Sequence, residues 1–162
     1  LASNLVHHLD EFLALAGTTD YTIDVSGLEP GYIDSKRVGY IELLGQIRAK
    51  TANGATFEAN CSMAPVGERS VTVSTPEAVA IVDQQASSLT IDRGGKSFTA
   101  SADIPLQSQI TATHVSDLLS WRTPTLPNYF DAAAVHRPMI AAFLDHLRHT
   151  CPKEKFDECP IT

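Results

Sequence analysis

The dipeptide Asn53-Gly54 most constrains how this chain can fold. It stands between two segments in which apolar and polar residues alternate, Leu43 to Thr51 and Ala55 to Met63. Asn-Gly favours the left-handed dihedrals of a type I′ turn. The pattern therefore predicts an antiparallel hairpin with one buried face and one polar face.

Further strand patterns follow the same rule. A second hairpin is predicted around Gly94-Gly95, where Ser88 to Asp92 meets Lys96 to Ala102. Other short alternating segments are Tyr21 to Val25, Ser70 to Ser74 and Ala78 to Val82. About seven strands joined mostly by short turns predict a mainly antiparallel sheet.

Helical periodicity appears at both ends of the chain. It predicts helices over Asn4 to Ala16, Thr113 to Trp121, and from the N-cap Asn128 to about Arg148. In the last helix Asp131 is placed as a capping-box partner, Pro138 predicts a kink, and the core stripe is Val135, Met139, Phe143 and Leu147. The order of elements predicts an α+β domain over residues 1–162, with helices on one face of a large open sheet. We expect the other sheet face to form a homodimer.

Charge and composition narrow the functional classes. The 162 residues carry a net charge of -7 without a local cluster of lysine or arginine, which argues against nucleic acid and anionic membranes as partners. No apolar run is long enough to span a bilayer, and no signal peptide pattern is found at the start. The expected location is the cytoplasm. Because the chain opens with Leu1 inside a helical pattern, we expect a fragment of a longer protein.

The first helix carries the main candidate chemistry. Its polar face holds Asn4, His7, His8 and Glu11 at intervals of three and four. A histidine there can relay a proton to or from a hydroxyl or carbonyl, with Asn4 and Asp10 orienting the substrate or the ring. The alternative is a solvated helix face with incidental histidines.

Two weaker candidates lie elsewhere. Trp121 can stack on a ligand, although a single aromatic at the end of a short helix is more often a core residue. The tail contains nitrogen and sulfur groups of the kind that bind zinc, but their spacing matches no common zinc finger; they are His146, His149, Cys151 and Cys159.

Several stretches together resemble the C-terminal domain of the Gfo/Idh/MocA oxidoreductases. "NLVHHLDEFLALAG" resembles the helix that opens that domain, and "GQIRAKTANGATFEANCSMAP" is similar to its strand, NG turn, strand unit. "RSVTVSTPEAVAIVD" resembles the next hairpin, and "LPNYFDAAAVHRPMIAAFLDHL" resembles the closing helix with its D-A-x-x-x-H segment, Asp131 to His136. The resemblance covers nearly the whole chain, and its strength lies in the order of the pieces.

The resemblance implies a two-domain parent. In that family an N-terminal Rossmann domain binds NAD or NADP and supplies a catalytic lysine. The C-terminal domain lines the site of a sugar, polyol or related hydroxy compound. This chain contains no Gly-rich dinucleotide loop, so we expect no cofactor in the chain itself, and no dehydrogenase activity from it alone.

The same resemblance assigns roles to individual residues. His7 matches the active-site histidine that relays or holds the proton of the reacting hydroxyl, and Asn4 matches a polar position of one branch. Ser3 stands where many members have an aspartate. His8, Asp10 and Trp121 are the expected substrate-binding residues, and a structural role at the domain junction is the alternative for Asp10.

Two other hypotheses stay open. The chain is alternatively a stand-alone, non-catalytic dimeric binding domain, which predicts a start codon near Leu1. The third hypothesis is a small metal-dependent enzyme that uses His7, His8 and Asp10. Metal analysis of protein prepared without chelator distinguishes it, because a genuine site retains its metal.

Overall fold

The computed structural model describes residues 2–62, 70–83, 85–101, 105, 107–122 and 127–161. The predicted strand ends at Met63 and Ala102 lie outside these residues. The chain divides into two compact units: the first unit is Leu1–Met63 with Pro127–Thr162, and the second unit is Ala64–Leu126. Each unit is described by itself, and the single domain over 1–162 stays a prediction.

The first unit combines two helices with short antiparallel ladders. Its elements are α1 (Ala2–Ala16), β1 (Tyr21–Leu28), β2 (Ile33–Asp34), β3 (Ile41–Glu42), β4 (Gly45–Thr51), β5 (Thr56–Cys61) and α3 (Tyr129–Thr150). Strands β1, β4 and β5 form one ladder in that order, and β2 pairs with β3. Helices α1 and α3 pack on the same face of the three-stranded ladder, next to β5 and β1 respectively.

The second unit contains β6 (Ser70–Ser74), β7 (Ala78–Asp83), β8 (Ser88–Arg93), β9 (Lys96–Ser101) and α2 (Gln107–Leu119). Its four strands form an antiparallel meander in sequence order. The predicted α+β class with antiparallel sheet is thus confirmed. The described strands are divided among three ladders of three, two and four strands.

Among the described residues, the buried apolar core lies in the first unit. Alternation along β4 buries Ile47 and Ala49, and helical spacing in α1 buries Leu5, Leu9 and Leu13. The predicted stripe of α3 is confirmed, since its four members are buried: Val135, Met139, Phe143 and Leu147. The thirteen apolar residues that are buried in the described part of the chain all belong to this unit.

The two hairpin turns differ in type. At the Gly94-Gly95 turn both residues have positive φ, 56° and 74°, and Arg93 pairs with Lys96, as a two-residue type I′ turn requires. At Asn53-Gly54 only Gly54 has positive φ, so the predicted type I′ turn is wrong there. The Asn53 side chain accepts from the Thr51 hydroxyl and donates to the Ala16 carbonyl at 2.9 Å, and these bonds favour a longer turn in which Gly54 is the left-handed residue.

The helix ends also differ from the sequence prediction. Helix α2 begins at Gln107, six residues before the predicted start, and ends at Leu119. Helix α3 begins after Asn128, whose Oδ1 accepts from the amides of Phe130 and Asp131 at 2.8 and 3.0 Å. The N-cap prediction is therefore confirmed. Helix α3 continues through Pro138 without interruption.

Candidate functional site

Helix α1 presents the predicted polar face to solvent. Leu5, Leu9 and Leu13 are at most 3% exposed, so the opposite side of the helix is fixed outward. Asn4, His7, His8 and Glu11 are all exposed. The nearest ionic contact among them joins His8 Nδ1 to Glu11 Oε2 at 4.0 Å, a loose pair between neighbours on one helix face.

Asp10 differs from these neighbours because it is paired across the fold. The Nε2 atom of His136 on α3 lies 3.1 Å from Asp10 Oδ1 and 3.2 Å from Oδ2. The Asp10 side chain is 40% exposed and the His136 side chain is 29% exposed. A carboxylate oxygen can only accept a hydrogen bond, so His136 donates through Nε2–H. This bond joins α1 to α3 at the edge of the polar face.

Tyr21 on β1 anchors α3 directly beside His136. Its buried hydroxyl donates to the carbonyl oxygen of Val135. Burial raises the pKa of Tyr21 to about 12; a hydrogen bond from the Met139 backbone opposes the rise, and the charge of Asp10 adds to it. The phenol therefore supplies a bond to the α3 backbone at the turn that carries His136.

The predicted site residues are thus only partly brought together. Asp10 is three residues from His7 on α1, so the two side chains lie about 5–6 Å apart at their Cβ atoms. Asn4 is one turn before His7. The structure adds His136, which the sequence singled out only as the end of a D-A-x-x-x-H segment. No residue spacing signals its pairing with Asp10, because the two are 126 positions apart.

Trp121 belongs to the second unit. Its indole is 96% exposed and its φ is +55°. The alternative that Trp121 is a core residue is wrong, because the helix end turns the ring into solvent. Its role in binding substrate stays a prediction.

In the part of the chain that the structure describes, neither a metal ion nor a dinucleotide has a matching set of groups. Among the described residues no three His, Cys, Asp or Glu side chains are grouped closely enough to hold an ion. Burial raises the pKa of the Cys159 thiol to about 11, against a lowering hydrogen bond from Ile161. A dinucleotide cradle requires a Gly-rich turn in a parallel βαβ unit; the described ladders are antiparallel, so the residues present do not fit NAD or NADP.

A concave surface lies on the outer face of the three-stranded ladder, away from the polar face of α1. This open depression of ≈ 710 Å³ is lined mainly by alternate polar residues of β1, β4 and β5: Thr22, Asp24, Arg48, Lys50, Thr56 and Glu58. Arg48 Nε donates to Glu58 Oε2 at 3.0 Å. Backbone and side-chain hydrogen bonds from Ser26 lower the pKa of Asp24. These groups are exposed and already paired, which makes this surface the weaker candidate.

Comparison with known proteins identifies the fold. No protein-family model matches the chain, and no curated protein does. A proposed oxidoreductase from Erwinia carotovora atroseptica has a similar structure, with a TM-score of 0.56 at 12% identity over 84% of this chain. A dehydrogenase, MviM, from Clostridium difficile is similar with a TM-score of 0.55 at 16% identity, again over 84% of the chain.

The chain has the fold of part of these enzymes. It spans 44% of the length of the first protein and 46% of the second. The fold expected from the Gfo/Idh/MocA resemblance is therefore confirmed. At these identities the likeness concerns the fold alone. Among the described residues no helix is long and apolar enough to cross a membrane.

Proposed function

We propose that this chain is the substrate-binding and oligomerisation part of an NAD(P)-dependent oxidoreductase that acts on a sugar, polyol or related hydroxy compound. The observation that carries the proposal is the likeness to an oxidoreductase and a dehydrogenase, which includes 84% of this chain but less than half of each of theirs. The missing partner would be an N-terminal Rossmann domain, and NAD or NADP would be bound there.

The polar face of α1 supports the substrate class. Asn4, His7 and Asp10 offer a carboxamide, an imidazole and a carboxylate within two helical turns, and such groups bind hydroxyls by donating and accepting hydrogen bonds. His7 is exposed, so its ring is free to hold or relay the proton of a substrate hydroxyl. The hydride acceptor would be the nicotinamide of the other domain.

The coding DNA upstream of Leu1 gives the first test. An open frame of about one further domain with G-x-G-x-x-G after a strand pattern is expected. The chain by itself should show no NAD(P)-dependent turnover. A start codon at Leu1 without such a frame would instead favour the stand-alone binding domain.

Homodimerisation is the second part of the proposal, and the sheet of the second unit supports it. Cross-strand pairing places eight apolar side chains on one face: Val71, Val73, Ala80, Val82, Leu89, Ile91, Phe98 and Ala100. None of them is buried, and Phe98 is 62% exposed. The opposite face carries a threonine row in which Thr90 and Thr99 are hydrogen-bonded at 3.1 Å. A second copy would remove the apolar face from water.

The variants Ile91→Lys and Thr90→Lys test this arrangement, since they add one charge to opposite faces of the same strand. Light scattering coupled to size exclusion should show a dimer for the wild type and for Thr90→Lys, and a monomer for Ile91→Lys. A monomeric wild type at high protein concentration contradicts the dimer. The same dimer is expected of the stand-alone binding domain. The sequence of the upstream DNA, and not this measurement, therefore distinguishes that domain from a part of an oxidoreductase.

A further inference from the structure

The Asp10–His136 pair has a use that the proposed function does not contain. We infer that His136 is a ligand-binding residue whose Nδ1 atom accepts a hydrogen bond from a hydroxyl of a small polyol, and that Asp10 is the positioning residue that makes Nδ1 the acceptor. The inference rests on the proposed function, because the polyol class comes from it.

The tautomer follows from the partner. Both oxygens of Asp10 lie within 3.2 Å of Nε2, and a carboxylate has no hydrogen to donate. Nε2 therefore holds the ring proton of the neutral imidazole. The lone pair is left on Nδ1, which becomes the hydrogen-bond acceptor of the ring.

The Nδ1 atom is available to a ligand. Within the part of the chain that the structure describes, the hydrogen bonds of His136 are those from Nε2 to Asp10. One buried side-chain nitrogen lacks a partner among these residues, and it belongs to His114. Among the described residues Nδ1 of His136 has no partner and is not buried without one, so a ligand hydroxyl would replace water there.

Rigid elements hold the ring in this orientation. Asp10 follows Leu9, which is fully buried, and His136 follows Val135, which is 5% exposed. Tyr21 bonds the Val135 carbonyl, so α3 is fixed at the residue before the ring. Preorganised acceptors bind with less loss of conformational entropy than mobile ones. His7 lies three residues before Asp10 on α1, about one helical turn from the partner of this ring.

The first experiment reads the tautomer and needs no ligand. Long-range ¹H–¹⁵N spectra of the histidine-labelled chain at mildly alkaline pH should show His136 protonated at Nε2 and unprotonated at Nδ1. In Asp10→Asn, whose amide can donate or accept, the opposite tautomer should become populated. An unchanged tautomer in that variant would mean that Asp10 does not set it, and would overturn the positioning role of Asp10. An Nδ1–H tautomer in the wild type overturns the inference.

The second experiment adds a polyol. Sorbitol, titrated to high millimolar concentration, should shift the Nδ1 resonance of His136, and dimethoxyethane, an ether without hydroxyls, should not. His149 is the internal control. It lies on the same helix, but its Nδ1 atom is already bonded to the Asp145 carbonyl oxygen at 2.8 Å. His136→Gln should weaken sorbitol binding by up to about tenfold, the equivalent of one hydrogen bond, whereas His149→Gln should leave it unchanged.

The outcomes separate this inference from the proposed function. Sorbitol shifts at His136 together with Asn4 and His7 support both. Shifts at Asn4 and His7 that leave His136 unaffected retain the proposed function and overturn the role of His136. Saturating sorbitol without a shift at any of these residues overturns both.

Discussion

The two units of this chain contain similar numbers of strands but differ in what they bury. In the first unit α1 and α3 pack on a ladder of three strands, and the thirteen buried apolar residues of the described ranges lie there. In the second unit a regular four-stranded meander leaves its apolar face only partly covered, and α2 exposes Ile110, Val115, Leu118 and Leu119. Regular hydrogen bonding is therefore no measure of burial.

The difference indicates how folding stability and association are divided between the two units. Removal of apolar surface from water is the main favourable contribution to folding, so the first unit supplies most of it within one chain. The second unit keeps apolar surface available for a partner. Variants that are matched across the two units test this division.

The largest expected effect comes from deleting one phenylalanine in each unit. Phe143 is fully buried, whereas Phe98 is 62% exposed. Phe143→Ala should lower the free energy of unfolding by about 3–5 kcal/mol, because it removes buried area and leaves a cavity. Phe98→Ala should cost less than about 1 kcal/mol in the monomer. Urea unfolding followed by circular dichroism measures both, at a protein concentration low enough to exclude the dimer. Equal losses would mean that the second unit has a core of its own.

Two glycines provide the next comparison. Both have positive φ, +105° at Gly45 and +74° at Gly95. A Cβ at Gly45 would stand 2.5 Å from the Gly27 carbonyl oxygen, whereas a Cβ at Gly95 would meet nothing within 4 Å. Gly95→Ala should therefore lower the free energy of unfolding by about 1–2 kcal/mol, for the left-handed backbone alone. Gly45→Ala should lower it by at least about 1 kcal/mol more, since β1 and β4 must separate.

Unfolding midpoints of the two glycine variants, compared with wild type, check this difference. A Gly45→Ala protein as stable as Gly95→Ala would contradict the close approach of β1 and β4. Amide exchange assigns each loss to its unit, since protection should fall first in β1 and β4 for Gly45→Ala and in β8 and β9 for Gly95→Ala.

Alkaline pH should destabilise the first unit selectively. The folded pKa of Tyr21 is about 12 against an ordinary value of 10.0, chiefly through burial. A raised pKa means that the neutral phenol stabilises the fold below pH 10, and that this contribution, at most about 3 kcal/mol, is lost between pH 10 and 12. The free energy of unfolding should fall more steeply over that window in wild type than in Tyr21→Phe.

Cys159 is the control for that titration. Burial raises its pKa from 9.0 to about 11, so the thiol also loses a stabilising contribution, but between pH 9 and 11. Tyr21→Phe retains this loss, and the difference between the two proteins isolates the phenol. Parallel pH profiles for wild type and Tyr21→Phe would refute the raised pKa.

Local sequence signals determined much of the fold. The hairpin at Gly94-Gly95, the α3 cap at Asn128 and the core stripe of α3 were all predictable, because each depends on dihedral preference or periodicity within a few residues. Strands β2 and β3 were missed since two residues cannot show a period of two. The start of α2 was missed because its first turns are polar and contain β-branched threonine, which lowers helix propensity.

The candidate site was predictable only on one side. The spacing of Asn4 and His7 places them on one helix face, but a partner 126 residues away leaves no mark in the spacing. The Asn53 turn failed for the same reason, since its carboxamide bonds to Ala16 of α1. Long-range hydrogen bonds therefore account for both differences: one favours the observed turn at Asn53, and the other brings His136 to Asp10.

The smallest expected effect concerns the outer face of the first unit, where exposure should make charges nearly neutral for stability. Arg48 and Glu58 face each other across β4 and β5 at 3.0 Å, with side chains 60% and 56% exposed. Glu58→Gln should change the free energy of unfolding by no more than about 0.5 kcal/mol, because water and salt screen an exposed pair. Urea unfolding at low and high salt checks this, with Arg48→Gln as the matched variant. If either variant lost more than about 2 kcal/mol of unfolding free energy, this face would be covered in solution. The first unit would then resemble the second in using an outer surface for association.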